Sequence, residues 1–472
     1  MKKLLLSLFS ILYTAILFAQ VPCENGFAGD YPCNDYDLMS HISLATLGAS
    51  AGNDSWGWTD PADGKEYAIM GVDNGTCFID ISDPVNPVYL GKLPTHTNPS
   101  AWRDIKVYQN YAFVVSEASG HGMQVFDLTK LRNVTNAPAT FSADAHYGGF
   151  GNCHNIVINP DQGFAYAVGT SLNNGGPHIV DIQNPLNPVF AGAYDASFYT
   201  HDAQVVTYNG PDTDYTGDQI LIGSNEDEVV VVNVTNKSNP MLISTVSYSN
   251  IGYTHQGWFT EDQAYFLLGD ELDEINFGFN SKTVVFDFTD LDNPSVAFDF
   301  FGQTTAIDHN GYVKNDDFFV AEYTAGMRVI DVSDIENSNI FETSYFDTYP
   351  NSDAVSFSGA WSVYPYFDSE NIVISDIDSG FFLVRESGTL ATENHEFSAS
   401  VKLYPNPTHS ILNVEIEQGE LTQVEFFDVM GKKVLQASLD ELSSGQINIS
   451  NLSSGIYLAR INNKISKKII VE

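Results

Sequence analysis

Three observations in this sequence predict an all-β fold made of repeated four-stranded units. Aromatic and β-branched residues and 36 glycines fill a chain of 472 residues without long Ala/Leu/Glu/Lys stretches, a balance that favours strands and turns over helices. One strand-and-turn motif recurs along most of the chain at a period near 50 residues. The charge is lopsided: 20 Lys plus Arg against 60 Asp plus Glu give −40, yet the segment from Leu403 onward, with 6 basic and 8 acidic residues, carries only −2 of it. That shift marks a second module, and the length alone exceeds one ordinary core. So acidic a surface repels nucleic-acid phosphate and anionic headgroups and attracts divalent cations and basic partners.

The elements follow in chain order. Met1-Lys2-Lys3, the apolar run Leu4 to Phe18 and the small residue Ala19 before Gln20 read as a secretory signal peptide over residues 1–20. The run is too short and wrongly flanked for a membrane span, and no later stretch is long and apolar enough for one. Pro22 before Cys23 fits a lipobox poorly. Export permits a disulfide between Cys23 and Cys33, whereas Cys77 and Cys153 read as small buried hydrophobes.

The strings FIDISDPVNPV from Phe78, HIVDIQNPLNPV from His178, VVVNVTNKSNPM from Val230, VVFDFTDLDNPS from Val284 and VIDVSDIENSNI from Val329 are versions of one pattern, with degenerate copies from Met123 and Phe381. Each is an apolar strand, an acidic or amide residue and a turn, most of them carrying Asn-Pro or Asp-Pro, because Asn and Asp favour local turns and Pro ends ladder pairing. Units start near Ser55, Arg103, His154, His201, His255, His309 and Trp361. Seven units of about four short strands predict a β-propeller over residues 21–388, with six or eight blades also compatible with the degenerate copies. The seventh unit, Trp361 to Arg385, supplies three strands, and a lone strand over Leu38 to Leu47 is expected to complete it.

HIVDI, FIDIS and VIDVS resemble LVIVD repeats. The segment DSWGWTDPADGKEYAIMGVDNGTCFIDISDPVNPVYLGKLPT resembles the choice-of-anchor B family of exported bacterial proteins, over roughly residues 23–388. That resemblance implies the architecture and no established reaction.

After a polar linker at 389–402, residues 403–472 alternate apolar positions such as Leu412, Val414 and Ile416 between Gly turns, as a small β-sandwich does. Tyr404-Pro405-Asn406-Pro407, Asp428-Val429-Met430-Gly431-Lys432 and Leu452-Ser453-Ser454-Gly455-Ile456-Tyr457 resemble the type A sorting domain of the Bacteroidetes type IX secretion system. The resemblance implies passage across the outer membrane by that machinery, with the body released or held at the cell surface.

Aligning the units places four of the eleven histidines, His154, His201, His255 and His309, at one position, the start of the innermost strand. Carboxylates near the end of the second strand, including Glu226, Asp270 and Glu322, should converge on the same mouth. Imidazole with carboxylate suits a divalent transition metal, whose bound water would serve hydrolysis or elimination. Alternatively Arg103 with the histidines forms a cationic mouth for an acidic sugar or carboxylate, Asp104 and Asp202 being further ligand contacts at the next ring position. Packing is the third reading: a strand-start His bonds a neighbouring blade, as Ser55 and Trp361 at the same position suggest. The acidic runs 270–274 and 225–228 could chelate Ca²⁺ or be solvated turns. Trp56 to Trp58 and the tyrosines could stack sugars or pack blades. G-x-S-x-G, H-E-x-x-H and P-loop patterns are missing. The expectation is an exported surface propeller acting as a binding module with an unknown ligand, a glycan or protein among the candidates; the alternative is a metal-dependent hydrolase or lyase.

Overall fold

The computed structural model describes residues 20–388, 401–416, 421–427, 432–442, 444–461 and 465–471. The expected signal segment before Gln20, most of the expected linker (389–400) and Asp428 to Gly431 lie outside these. The chain divides into two compact units, one ending at Ser387 and one holding the C-terminal residues.

In the first unit the described residues form seven sheets of at least four strands, antiparallel except where the short strand Ala139–Thr140 joins one of them in parallel. Their innermost strands are Gly52–Thr59, Arg103–Tyr108, Asn155–Asn159, Asp202–Thr207, Thr254–Phe259, Asp308–Lys314 and Ala360–Tyr364. Each lies against the next and the seventh against the first, so the sheets, here blades 1 to 7, close a ring. A blade alone exposes two apolar faces, and its neighbours cover both. Thus Ile69 and Phe78 of blade 1 share a core with Ile105, Val114 and Phe126 of blade 2.

The repeated Asp or Asn acts through its side chain. Oδ1 of Asp80, Asp127, Asp181, Asn233, Asp287 and Asp331 each accepts the backbone N–H two residues on, at 2.8–3.0 Å. That bond closes the turn after the third strand.

The ring closes with strands from both ends of the first unit. Tyr36–Ser43 is the outer strand of blade 7, paired with Gly380–Glu386. The expected strand over Leu38 to Leu47 stops early: Leu44–Leu47 forms one helical turn, because Ser43 Oγ caps the Thr46 N–H and Gly48 (φ 64°) ends it. Tyr31–Asn34 extends blade 6, a disulfide joins Cys23 to Cys33, and Cys77 and Cys153 are free and buried.

In the second unit a three-stranded sheet (Val401–Tyr404, Ile411–Ile416, Ser444–Asn448) and a four-stranded one (Leu421–Phe427, Lys433–Leu442, Gly455–Ile461, Ile465–Val471) share one core. Leu412 and Val414 from the first meet Val424, Phe426, Ala459 and Ile469 from the second.

Candidate functional site: the two ends of the innermost strands

The starts of the innermost strands are irregular. Ladder register shifts between Gly52 and Ser55, Thr254 and Gln256, Asp308 and Gly311, and Ala360 and Ser362. Such bulges free a residue from strand alternation and re-aim its side chain. His255, His309 and Trp361 sit in them, while His154 and His201 precede the first ladder residue of their strands.

The result is a stack around the mouth. Ring centroids are 4.1 Å apart for His154 and His201, 4.4 Å for His201 and His255, 4.4 Å for His255 and His309, and 4.7 Å for His309 and Trp361. His154 Nδ1 is 2.6 Å from Glu117 Oε1. His201 Nδ1 donates to the His255 carbonyl at 3.2 Å and His309 Nδ1 to the Trp361 carbonyl at 2.5 Å. A carbonyl only accepts, so in these two rings Nδ1 carries the proton and Nε2 keeps its lone pair. Burial, with neighbouring imidazoles adding, pushes His201 and His255 well below the ordinary imidazole range. Burial also lowers His309, with Glu271 opposing. All three are neutral at neutral pH.

Glu271 faces this stack. Its Oε2 is 3.7 Å from His255 Nε2 and its Oε1 is 3.7 Å from His309 Nε2, while Tyr323 donates its hydroxyl to Oε1 at 2.7 Å. A separation of 3.7 Å is too long for a hydrogen bond. It is close to the spacing of two ligands on one tetrahedral ion, about 3.4 Å for bonds near 2.1 Å. One ligand atom from each of His255, Glu271 and His309 lies within 4.8 Å of the others. A backbone carbonyl behind a ligating imidazole is the usual outer support of such a centre.

The other sequence candidates are dispersed. Asp270, adjacent to Glu271, accepts from Tyr248, Gly252, Tyr253 and Leu272 and so anchors its own loop. Glu322 accepts from Ser281 at 2.6 Å and Thr304 at 3.0 Å, away from the imidazoles. Glu226 is exposed, with its carboxylate beside Tyr253. Arg103 does not make a cationic mouth: its nitrogens reach the Val72 carbonyl, His121 and Thr95 between blades 1 and 2. Its length lets it leave the ring position it shares with the histidines.

Asp104 and Asp202 lie one layer deeper. Lys106 Nζ is 2.6 Å from Asp104 Oδ1 and 3.2 Å from Asp54 Oδ2, all buried, and sits 4.6 Å over the Trp56 ring. Burial, joined by the Asp54 carboxylate, raises Asp104 well above the usual range despite Lys106. For Asp54 burial is outweighed by Lys106 and by hydrogen bonds from Asp104 and Ser362, so it is held low. Burial pushes Asp202 up to about 6; the Ala203 N–H donates to it at 2.7 Å.

Beyond this polar layer, at the ends of the innermost strands, is a cavity of about 560 Å³ to which all seven contribute directly or through the turn that follows. Trp258 lies three residues past His255, about 10 Å along the strand at 3.3 Å per residue. Trp56, Trp258, Tyr364 and Tyr366 frame it with Asn159, Gln204 and Thr260. Trp56 and Tyr364 meet edge to face at 5.1 Å. Gly57 permits this, since a Cβ there would come within 2.1 Å of the Tyr364 ring. The outer Trp58 instead stacks on Tyr67 in the core. Trp56 and the tyrosines are the sugar-stacking candidates of the sequence, and Trp258 adds to them; the mark of this cavity is the aromatic residue three or more positions downstream of the ring position in blades 5 and 7.

Residues 402–472 match the secretion system C-terminal sorting domain, and residues 65–95 and 163–196 match the LVIVD repeat. Each LVIVD match covers the second to fourth strands of a blade, 1 and 3 respectively. A curated protein, the ulvan lyase NLR42 of Nonlabens ulvanivorans, is 30% identical over 112 residues, 22% of this chain and 21% of that protein. The chain thus spans about a fifth of the length of that relative. Among solved structures, hydrazine synthase of Kuenenia stuttgartiensis aligns at 11% identity over 73% of this chain and 97% of that one, TM-score 0.51, a likeness of fold alone. PorZ, a surface component of the type IX secretion system of Porphyromonas gingivalis, aligns at 13% identity over 87% of this chain and 58% of that one, TM-score 0.44. The Swd1 β-propeller domain of Myceliophteria thermophila aligns at 10% identity over 68% and 93%, TM-score 0.44. Among the described residues no helix is long and apolar enough to cross a membrane. The chain is a β-propeller with LVIVD repeats in two blades, and its C-terminal secretion sorting domain indicates export by the type IX secretion system to the cell surface or the medium.

Proposed function

We propose that the exported propeller is a carbohydrate-binding module that seats one or two sugar units in the axial cavity at the ends of its innermost strands. The observation that carries this reading is the cavity of about 560 Å³ framed by Trp56, Trp258, Tyr364 and Tyr366, a size within the range of small-ligand sites. Flat aromatic faces cover the C–H faces of a pyranose, and amides and hydroxyls bond its hydroxyl groups. Gln204 is already oriented, because its Oε1 accepts the Phe259 N–H at 2.8 Å, leaving its NH₂ to donate. Lys106, the cation at the cavity floor, is matched by Asp54 and Asp104, so the cavity favours a neutral ring over an anionic one. Titration of the mature protein with neutral oligosaccharides tests this. Binding lost in a Trp56→Ala/Trp258→Ala variant supports it, and binding unchanged there refutes it.

A second reading, a metal-dependent hydrolase or lyase at the opposite end, draws on the two 3.7 Å approaches of Glu271 to His255 and His309. Neutral imidazoles with one carboxylate suit Zn²⁺ or a similar ion. Elemental analysis of protein purified without chelator tests it: one transition metal per chain supports the centre, and none removes it.

A further inference from the structure

Behind the mouth, between blades 5 and 6, three more carboxylates meet. Asp273 and Glu274 open the short helix Asp273–Phe277 after the second strand of blade 5, and Asp308 begins the innermost strand of blade 6. They are 0%, 2% and 1% exposed, and one oxygen from each lies within 4.8 Å of the others. Lys282 Nζ is 2.5 Å from Asp273 Oδ2. Among the described residues neither oxygen of Glu274 nor either oxygen of Asp308 has a hydrogen-bond donor. Asp270, three residues before Asp273, shows what a satisfied carboxylate in this region looks like, with four donors on its two oxygens.

Burying charge without a partner costs several kcal/mol per ion, and buried polar groups are as a rule bonded. Three carboxylates and one ammonium leave a charge of −2, which one divalent cation neutralises. The donors are all oxygen, with no imidazole or thiolate. With Asp273 Oδ2 held by Lys282, five carboxylate oxygens remain, close to the six to eight that Ca²⁺ takes, whereas Mg²⁺ sheds its waters reluctantly. Room for Asp308 is built into the backbone: a Cβ on Gly269 would come within 2.1 Å of its Oδ2.

We propose that Asp273, Glu274 and Asp308 hold a buried Ca²⁺ ion that ties blade 5 to blade 6. The acidic run 270–274 read from the sequence supplies two of the ligands, and the third comes from the next blade. Asp308 precedes His309, and Asp273 follows Glu271 by two residues. The ion thus also fixes the spacing of two members of the mouth cluster, although it does not depend on that cluster binding anything.

The test uses mature protein stripped with EGTA and then given CaCl₂ alone. One Ca²⁺ per chain by calorimetry and a higher Tm are expected, with a smaller effect of MgCl₂ at the same concentration. Glu274→Gln, and separately Asp308→Asn, should each lower Ca²⁺ affinity at least about tenfold and remove the Tm response. His255→Ala/His309→Ala should keep both, which separates this site from the mouth. If one variant fails to fold, the other carries the comparison. No Ca²⁺ uptake, an equal response to Mg²⁺, or an unchanged response in both carboxylate variants would overturn the proposal.

Discussion

The two ends of the innermost strands come from one repeat and carry opposite chemistries. At the starts, bulges free His255 and His309 to face Glu271, and His154 and His201, ahead of their ladders, continue the stack of imidazoles. Toward the ends the ladder is regular, with Trp258 opposite Leu267 and Tyr364 opposite Val373. There, rings from blades 1, 5 and 7 and amides from blades 3 and 4 line a cavity. Strand alternation allows a blade one inward side chain in two, whereas a bulge lets it add another. Concentrated polar chemistry therefore collects where the ladder is broken, and a shaped, flat-walled recess where it is intact. The Asp54–Lys106–Asp104 layer separates the two.

Replacing both His255 and His309 with Ala should have the largest effect. Bound transition metal falls from about one per chain to none by elemental analysis, while oligosaccharide affinity stays unchanged. If that affinity falls too, the two ends are one site. Lys106→Met leaves the buried Asp54–Asp104 pair without its cation and should cost about 3 kcal/mol of stability in denaturant titration; a loss below about 1 kcal/mol would mean the layer is not a barrier between the ends. Trp258→Ala should weaken oligosaccharide binding about tenfold, near 1.4 kcal/mol, by calorimetry, with metal content intact.

The smallest effect is on pH dependence. Burial pushes Asp376, at the mouth-side end of its strand, up to about 6, and burial joined by Asp331 does the same for Asp317 at the cavity-side start of its own. The unfolded carboxyl titrates near 3.9, so between about pH 4 and pH 6 the folded chain binds more protons than the unfolded one. Their contribution is full below about pH 4 and lost as pH rises through 6. Asp376→Asn should flatten that slope in Tm against pH. Asp317→Asn should do so less, because Asp317 is only partly buried and better screened.

Much of the fold was legible because the repeat encodes it locally. The Asp or Asn after each third strand marks a turn that its own side chain closes, as Asp80 and Asp287 do. An orphan strand over Leu38 to Leu47 was readable because blade 7 lacked one, although its last four residues turn into a helix. The histidines were readable as a ring because they share a repeat position. Which neighbouring side chain serves them was not: Asp270 and Glu271 are adjacent, and only the loop's hydrogen bonds decide that Asp270 turns inward to four donors and Glu271 to the imidazoles. Arg103 shares the ring position with the histidines yet leaves it for Val72, Thr95 and His121.

By itself, then, the sequence determined the propeller, its closure by the two ends of the body and the exported character of the chain, since these rest on period, turn chemistry and short motifs that act within a few residues. Tertiary structure alone decided that His255, Glu271 and His309 meet, that Asp308 joins Asp273 and Glu274, and that Trp56 and Trp258 face one cavity. Those residues come from different blades, and their approach is set by bulges and by the packing of one sheet on the next, neither of which leaves a mark at any single position in the chain.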